Sequence, residues 1–171
     1  AQGVGLMVDQ NLLASVIADV SEEPGALPLL QYALTELFVR RTGLTLTLDA
    51  YQDSGGALGA LARRAEQLYS SMDEAQQRAI RQLFLRLVNL GEGTSDTRRR
   101  INWDEFAALS QTIPAVSDVR DVFVQYRLLT TDRNPLSREP TLEIAHEALI
   151  REWKRLSDWL SAGREDIRIQ R

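Results

Sequence analysis

Two short β-branched runs placed late in the chain, 128–131 and 141–145, enclose a polar tip at 132–140, whereas almost every other apolar residue recurs at helical spacing. That pattern predicts a mainly α protein: a small helical bundle followed by a domain with a short β-sheet. In the first part, Val8, Leu12, Leu13, Val16, Ile17 and Val20 form a helical stripe that Ser21-Glu22-Glu23-Pro24-Gly25 stops. Residues 26–41 repeat the pattern through Leu27, Leu30, Leu34, Leu37 and Phe38, with Gly43 beyond the end. Residues 44–48 alternate Leu and Thr without an obvious partner strand, which predicts an extended link. A helical turn at 49–54 breaks at Gly55-Gly56, and Leu58, Leu61, Ala65 and Leu68 mark a helix over 57–72. Residues 1–72 therefore read as a small bundle of three main helices and one short one, whose thin core leans on something else.

The second part, 73–171, opens on Asp73 as an N-cap, with Gln76 three residues later completing a capping-box pattern before Ile80, Leu83, Phe84, Leu87 and Val88. Gly91-Glu92-Gly93-Thr94 ends that helix, and the boundary between the two parts falls at 70–73. A short strand at 97–101, a helix at 104–109, a second at 116–127, the strand pair around the polar tip and helices to about Ala162 complete it. Helix, strand, helix, helix and strand pair is the order of a winged helix-turn-helix.

Cysteine is absent and lysine occurs once, at Lys154. The first fact removes disulfides, thiolate metal sites and cysteine nucleophiles; the second removes the phosphate-cradling Gly-x-x-x-x-Gly-Lys-Ser/Thr loop, since no lysine follows a glycine. One histidine leaves no second imidazole for a zinc site, and no close carboxylate pair sits in an apolar context. No apolar run reaches membrane-spanning length and no leader is present, so the expected setting is cytoplasmic, with no membrane partner.

Winged helices suggest DNA, but the charge does not. Residues 116–127 set Arg120 and Arg127 against Asp118 and Asp121, and the tip balances Arg133 and Arg138 against two acids. Arg98-Arg99-Arg100 is the one basic cluster, and it reads as a solvated or ion-paired face, with contact to a partner left open. Trp103, Trp153 and Trp159 lie on helical segments with apolar neighbours and read as packing residues, Trp159 the most exposed of them.

Two positions carry a functional reading beside a purely structural one. His146 stands where the strand 141–145 gives way to an amphipathic run, and there it is either a packing or capping residue or a hand for a phosphate. A helix start discourages a proton on its ring, while Glu147 encourages one. Pro28, just after Gly25 in the first turn of a helix, is sterically suited to that turn, and its flat ring also offers a surface for a base.

Three stretches together, 25–37 from Gly25-Ala26-Leu27-Pro28, 91–100 from Gly91-Glu92-Gly93-Thr94, and 145–153 from Ala145-His146-Glu147, resemble the back half of bacterial STAND NTPases, in the branch often joined to WD-repeat propellers. The resemblance covers nearly the whole chain. It implies a helical lid at 1–72 and a winged helix at 73–171, the regulatory, nucleotide-sensing portion of a signal-transduction ATPase switch. It further implies ADP or ATP as a cofactor shared with an ATPase core outside this chain. Gly25 and Pro28 would lie against adenine, and His146 against the β-phosphate, in a motif that reads Ala-His-Glu where relatives have Met-His-Asp. The expected partners are that core and a C-terminal WD-repeat or other sensor domain. An excised portion of an ATPase, not itself an enzyme, is the expectation. A winged-helix transcription regulator and a protein-interaction module without nucleotide linkage are the alternatives.

Overall fold

The computed structural model describes every residue except 1–4, 22–25, 40, 42, 54, 92–93 and 170–171, and only the backbone of 20, 26–29 and 165–169. The fold is mainly helical with short strands in small sheets. Contacts divide the chain into two compact units, Ala1–Arg63 and Arg64–Arg171.

In the first unit, β1 (Met7–Val8) precedes α1 (Gln10–Ser21) and α2 (Ala26–Val39), followed by β2 (Thr45–Leu46), α3 (Leu48–Asp53) and the start of α4 (Gly56–Ser70). The Leu/Thr alternation is a strand after all, not a free link: Met7 and Val8 pair in parallel with Thr45 and Leu46, and the alternation points Leu46 inward. The partner was hidden because β1 is only two residues long, too short to show a period. Helical stripes were read correctly but wider than the core they serve. Leu12 and Val16 of α1 and Tyr32, Ala33 and Leu37 of α2 are buried, while Leu13, Ile17, Leu34 and Phe38 stay substantially exposed. Gly55 and Gly56 both adopt φ of 70°, a left-handed conformation that glycine takes without steric cost, and this turns the chain from α3 into α4.

The division between the compact units falls within α4, whose last turns carry Glu66 and Tyr69, residues of the second unit that meet Trp153 and Arg155. There α5 (Glu74–Arg86) starts at the expected capping box: Asp73 accepts from the Gln76 backbone at 2.9 Å while the Gln76 side chain accepts from the Asp73 backbone at 3.2 Å. The helix stops at Leu87, ahead of the glycines, because Val88 enters a strand, β3 (Val88–Asn89), that pairs with β4 (Thr97–Arg98).

The single strand expected at 97–101 is two. At Arg99 the chain leaves β4, donates its backbone N–H to the Leu87 carbonyl at 2.8 Å and re-enters a different sheet as β5 (Ile101–Asn102). Helices α6 (Trp103–Thr112) and α7 (Val116–Gln125) follow, then the hairpin of β6 (Leu129–Arg133) and β7 (Pro140–Ile144). The antiparallel order is β5-β7-β6, with Leu129 opposite Ile144 and Ile101 opposite Leu142, so the buried apolar residues line one face. Helix α8 (Ala148–Glu152) is a single short piece, and α9 (Lys154–Ile169) runs two turns past the expected end.

The core of this unit is aromatic. Phe84 of α5 meets Phe123 of α7 edge to face at 5.3 Å, and Trp153, between α8 and α9, meets Phe84 at 5.2 Å. Of the three tryptophans Trp153 is buried, but Trp103 and not Trp159 is the most exposed, at 38%. Trp103 opens α6, and its ring lies beside Phe106 with the Arg120 guanidinium above both.

Candidate functional site

The second unit brings three segments together around His146. The imidazole sits at the junction of β7 and α8 and is only 7% exposed. It hydrogen-bonds the Arg127 backbone, an interaction that favours the protonated ring, so the backbone partner is the acceptor, the carbonyl. Arg127, two residues past α7, turns the chain with φ of 57°, and the next residue, Leu128, accepts the Ala145 backbone N–H at its carbonyl at 3.0 Å. The residue ahead of the histidine and the histidine ring itself are thus both tied to the corner where α7 turns into β6.

Arg98 approaches from β4. Its Nη1 donates to the carbonyls of Ile144 at 3.2 Å and Ala145 at 3.4 Å, the two residues preceding His146, and its Nε lies 3.7 Å from Glu147 Oε2. Burial pushes the imidazole below its usual value near 6.5; the Arg127 bond pulls the other way, and the Arg98 charge adds to the lowering. The expectation that Glu147 would encourage a proton on the ring is corrected here, because that carboxylate is paired with Arg98. The helix that was to discourage the proton starts two residues later and spans five residues, so burial and Arg98 take over that role.

Arg98 was the residue missed in the sequence. The Arg98-Arg99-Arg100 run looked like one basic face, yet each arginine meets a different acid: Glu147, Glu105 and Glu143. Glu143 and Glu147 flank His146 in the sequence, and that spacing was the available signal.

Pro28 stands in the first turn of α2, where a missing N–H costs nothing, but its side chain is outside the described residues, and Gly25 lies outside them altogether. Both belong to the first unit and His146 to the second. A groove of about 1070 Å³ in the second unit runs between α5 and the α6–α7 turn, with Arg78, Arg81, Ile113 and Pro114 among its lining residues, and does not include His146. Among the described residues no group of three or more His, Asp or Glu side chains is placed to hold a metal, and no helix is long and apolar enough to cross a membrane.

The buried ring has a consequence for stability. As pH falls, the unfolded chain protonates near 6.5 while the folded ring resists, so the unfolded state binds more protons and stability falls. The histidine contribution is therefore complete above pH 6.5 and is lost as pH drops from there toward the lower folded value. Glu66, whose carboxyl Arg155 holds below its usual 4.5, adds a separate loss only below that pH. Urea midpoints should decline between about pH 7 and about pH 5.5 in the wild-type chain, and His146→Gln should remove most of that slope. An identical slope in the variant would show that other groups cause it.

The full chain, residues 1–171, matches the model of the family described as novel STAND NTPase 1, and the chain belongs to that family of NTPases. No curated protein and no solved structure matches it.

Proposed function

We propose that this chain is the nucleotide-sensing portion of a STAND-type signal-transduction ATPase switch, with residues 1–72 as a helical lid and 73–171 as a winged helix that holds the ADP-bound resting state. The observation that carries this reading is the placement of His146 in a chain of this family: a buried, neutral imidazole at a strand-to-helix junction, with one ring nitrogen engaged by the Arg127 carbonyl. A neutral ring held that way presents only an acceptor at its second nitrogen and must gain a proton to donate to a phosphate oxygen. Charge on the ring therefore follows the presence of the anion, and the winged helix registers it. ADP supplies the diphosphate; Gly25 and Pro28 would line the adenine side. The element order helix, three two-residue strands, helix, helix, hairpin, with the last of those strands joined to the hairpin, supports the winged-helix assignment.

With no lysine after any glycine, the chain lacks the phosphate-cradling loop, so on its own it does not hydrolyse ATP. Its partners are an ATPase core and a WD-repeat or other sensor domain, in the cytoplasm; DNA is not among them, since α7 sets one arginine, Arg120, against Asp118 and Asp121 and so offers no positive excess to phosphates.

Truncating His146 to alanine would leave the Arg127 carbonyl unsatisfied, so His146→Gln, which keeps a donor there, is the cleaner test. In the intact protein it should weaken ADP retention roughly ten- to a hundredfold, the effect of losing one charge-assisted hydrogen bond of about 1.5–3 kcal/mol. Circular dichroism matching the wild type ensures that contact, not fold, is being read. Unchanged ADP retention in a folded variant makes His146 a packing residue and rejects the proposal.

A further inference from the structure

We infer that Arg98 is a second anion ligand beside His146, that Glu147 is its resting counter-ion, and that an arriving diphosphate displaces Glu147 from Arg98. The inference rests on the reading of His146 as a phosphate contact and adds to it a residue, a competitor and an exchange.

The three arginines differ in how far they are committed. Arg99 grips Glu105 with two bonds at 2.7 and 2.8 Å and also caps the Arg86 carbonyl at 3.0 Å. Arg100 holds Glu143 through Nε at 3.3 Å and Nη2 at 2.9 Å. Arg98 reaches its carboxylate only at 3.7 Å, beyond hydrogen-bond length, and both side chains are about a third exposed, at 35% and 30%. Such a pair is screened by water and only weakly held. It is the exchangeable one.

The guanidinium is nevertheless fixed in place. Its backbone is in register with Val88 across the β3–β4 pair, and its Nη1 is anchored on the Ile144 and Ala145 carbonyls. One edge of the planar fork is spent on aiming it at the histidine, while among the described residues no carboxylate comes within hydrogen-bond distance of the other. A fork of that geometry binds phosphate oxygens through two parallel N–H donors, which a carboxylate at 3.7 Å does not exploit.

The electrostatics favour exchange. Burial and then the Arg98 charge make His146 resist protonation; an anion bridging both groups opposes that, because it attracts the guanidinium and the imidazolium together. Glu147 cannot serve both, since it lies on the chain immediately after the ring and is already turned to Arg98. A diphosphate carries more charge and more acceptor oxygens than the carboxylate it replaces. Release of Glu147, the residue at the N-cap of α8, then marks the bound state in the helix that leads to Trp153.

Inorganic pyrophosphate is the probe, titrated into the chain at constant ionic strength while NMR follows the His146 ring and Arg98 Nε–H signals. Both should shift together and saturate, with the ring taking up a proton. Arg98→Gln should weaken binding at least roughly tenfold, as the loss of a charged bidentate partner would. Glu147→Gln, which removes the competitor but keeps the shape, should strengthen binding by roughly three- to tenfold. Arg100→Gln should change little. Absence of pyrophosphate binding overturns the inference, as does an Arg98→Gln chain that binds as well as wild type, or a Glu147→Gln chain that does not bind more tightly. If Arg98→Gln fails to fold, the Glu147 variant decides.

Failure here is distinguishable from failure of the functional reading. If His146→Gln lowers ADP retention in the intact protein but Arg98→Gln does not, the latch stands and the Arg98 ligand falls. If pyrophosphate binding depends on Arg98 while ADP retention ignores His146, the anion site stands and the latch falls.

Discussion

Trp153→Ala should lower the stability of the second unit by about 3–5 kcal/mol, the cost of deleting a large aromatic side chain from a packed core. Trp153 is 2% exposed and lies at ring distances of 5.2 Å from Phe84, 5.5 Å from Trp159, 6.2 Å from Phe123 and 6.4 Å from Tyr69. Elements that share no local sequence, α4, α5, α7 and α9, meet on this one side chain. Its indole Nε1 donates to Glu66 Oε2 at 2.9 Å, and Arg155 grips the same carboxylate through Nε at 2.9 and 3.2 Å and Nη2 at 2.5 Å, stacked over Tyr69 at 4.1 Å. The ion pair is only half-buried, so the packing and not the charge accounts for most of the effect. Trp153→Phe separates the two: it keeps an aromatic ring and loses the bond to Glu66, and should cost about 1–2 kcal/mol. Urea unfolding at neutral pH measures both variants. A loss under about 1 kcal/mol for Trp153→Ala would mean the ring is not the keystone of this core.

The periodic parts of the fold were legible in the sequence, and the reasons differ from element to element. Asp73 and Gln76 announce α5 because a capping box is a local device whose partners are three residues apart. The hairpin of β6 and β7 was readable for the same reason, with its polar tip between two β-branched runs. Pairings between distant segments were not. Nothing near residues 45–46 discloses that residues 7–8 lie beside them, and nothing in Arg98-Arg99-Arg100 discloses that the chain changes sheets there. Helical stripes overstated the core because periodicity records what can be buried, while the number of facing elements decides what is; Leu13 at 55% and Ile17 at 51% exposure show the difference.

The site divides along the same line. His146 was singled out because it is the only histidine and stands at a change of period, both visible in one dimension. The groups that set its charge were not visible. Arg98 is 48 residues upstream, on another strand, and the Arg127 carbonyl belongs to a helix end; Glu147, the neighbour in sequence, turns away to Arg98. Adjacency in the chain suggested one electrostatic partner, and the fold supplied the opposite sign.

Gly56→Ala should destabilise the first unit by about 2–4 kcal/mol, through two separate costs. The first is conformational, since φ of 70° is strained for any residue with a Cβ and carries about 1–2 kcal/mol. The second is a collision, because the added Cβ would stand 2.5 Å from Asp19 Oδ2. That oxygen accepts the hydroxyl of the buried Tyr51 at 2.7 Å, and the same hydroxyl accepts the Ala57 backbone N–H at 3.0 Å. Burial, and then Asp19, push the Tyr51 hydroxyl pKa upward, which keeps the donor proton in place. Asp19 can swing aside only by abandoning a buried donor, which costs about 1–3 kcal/mol. Gly43→Ala isolates the first cost: its φ is 64°, yet nothing lies within 4 Å of the new Cβ. Thermal unfolding should therefore rank wild type above Gly43→Ala and Gly43→Ala above Gly56→Ala. In a Tyr51→Phe background, where the hydroxyl is already gone, the extra cost at Gly56 should shrink to that of Gly43. Equal losses at both glycines in the wild-type background would mean that strain alone acts and that the Asp19–Tyr51 bond contributes nothing measurable.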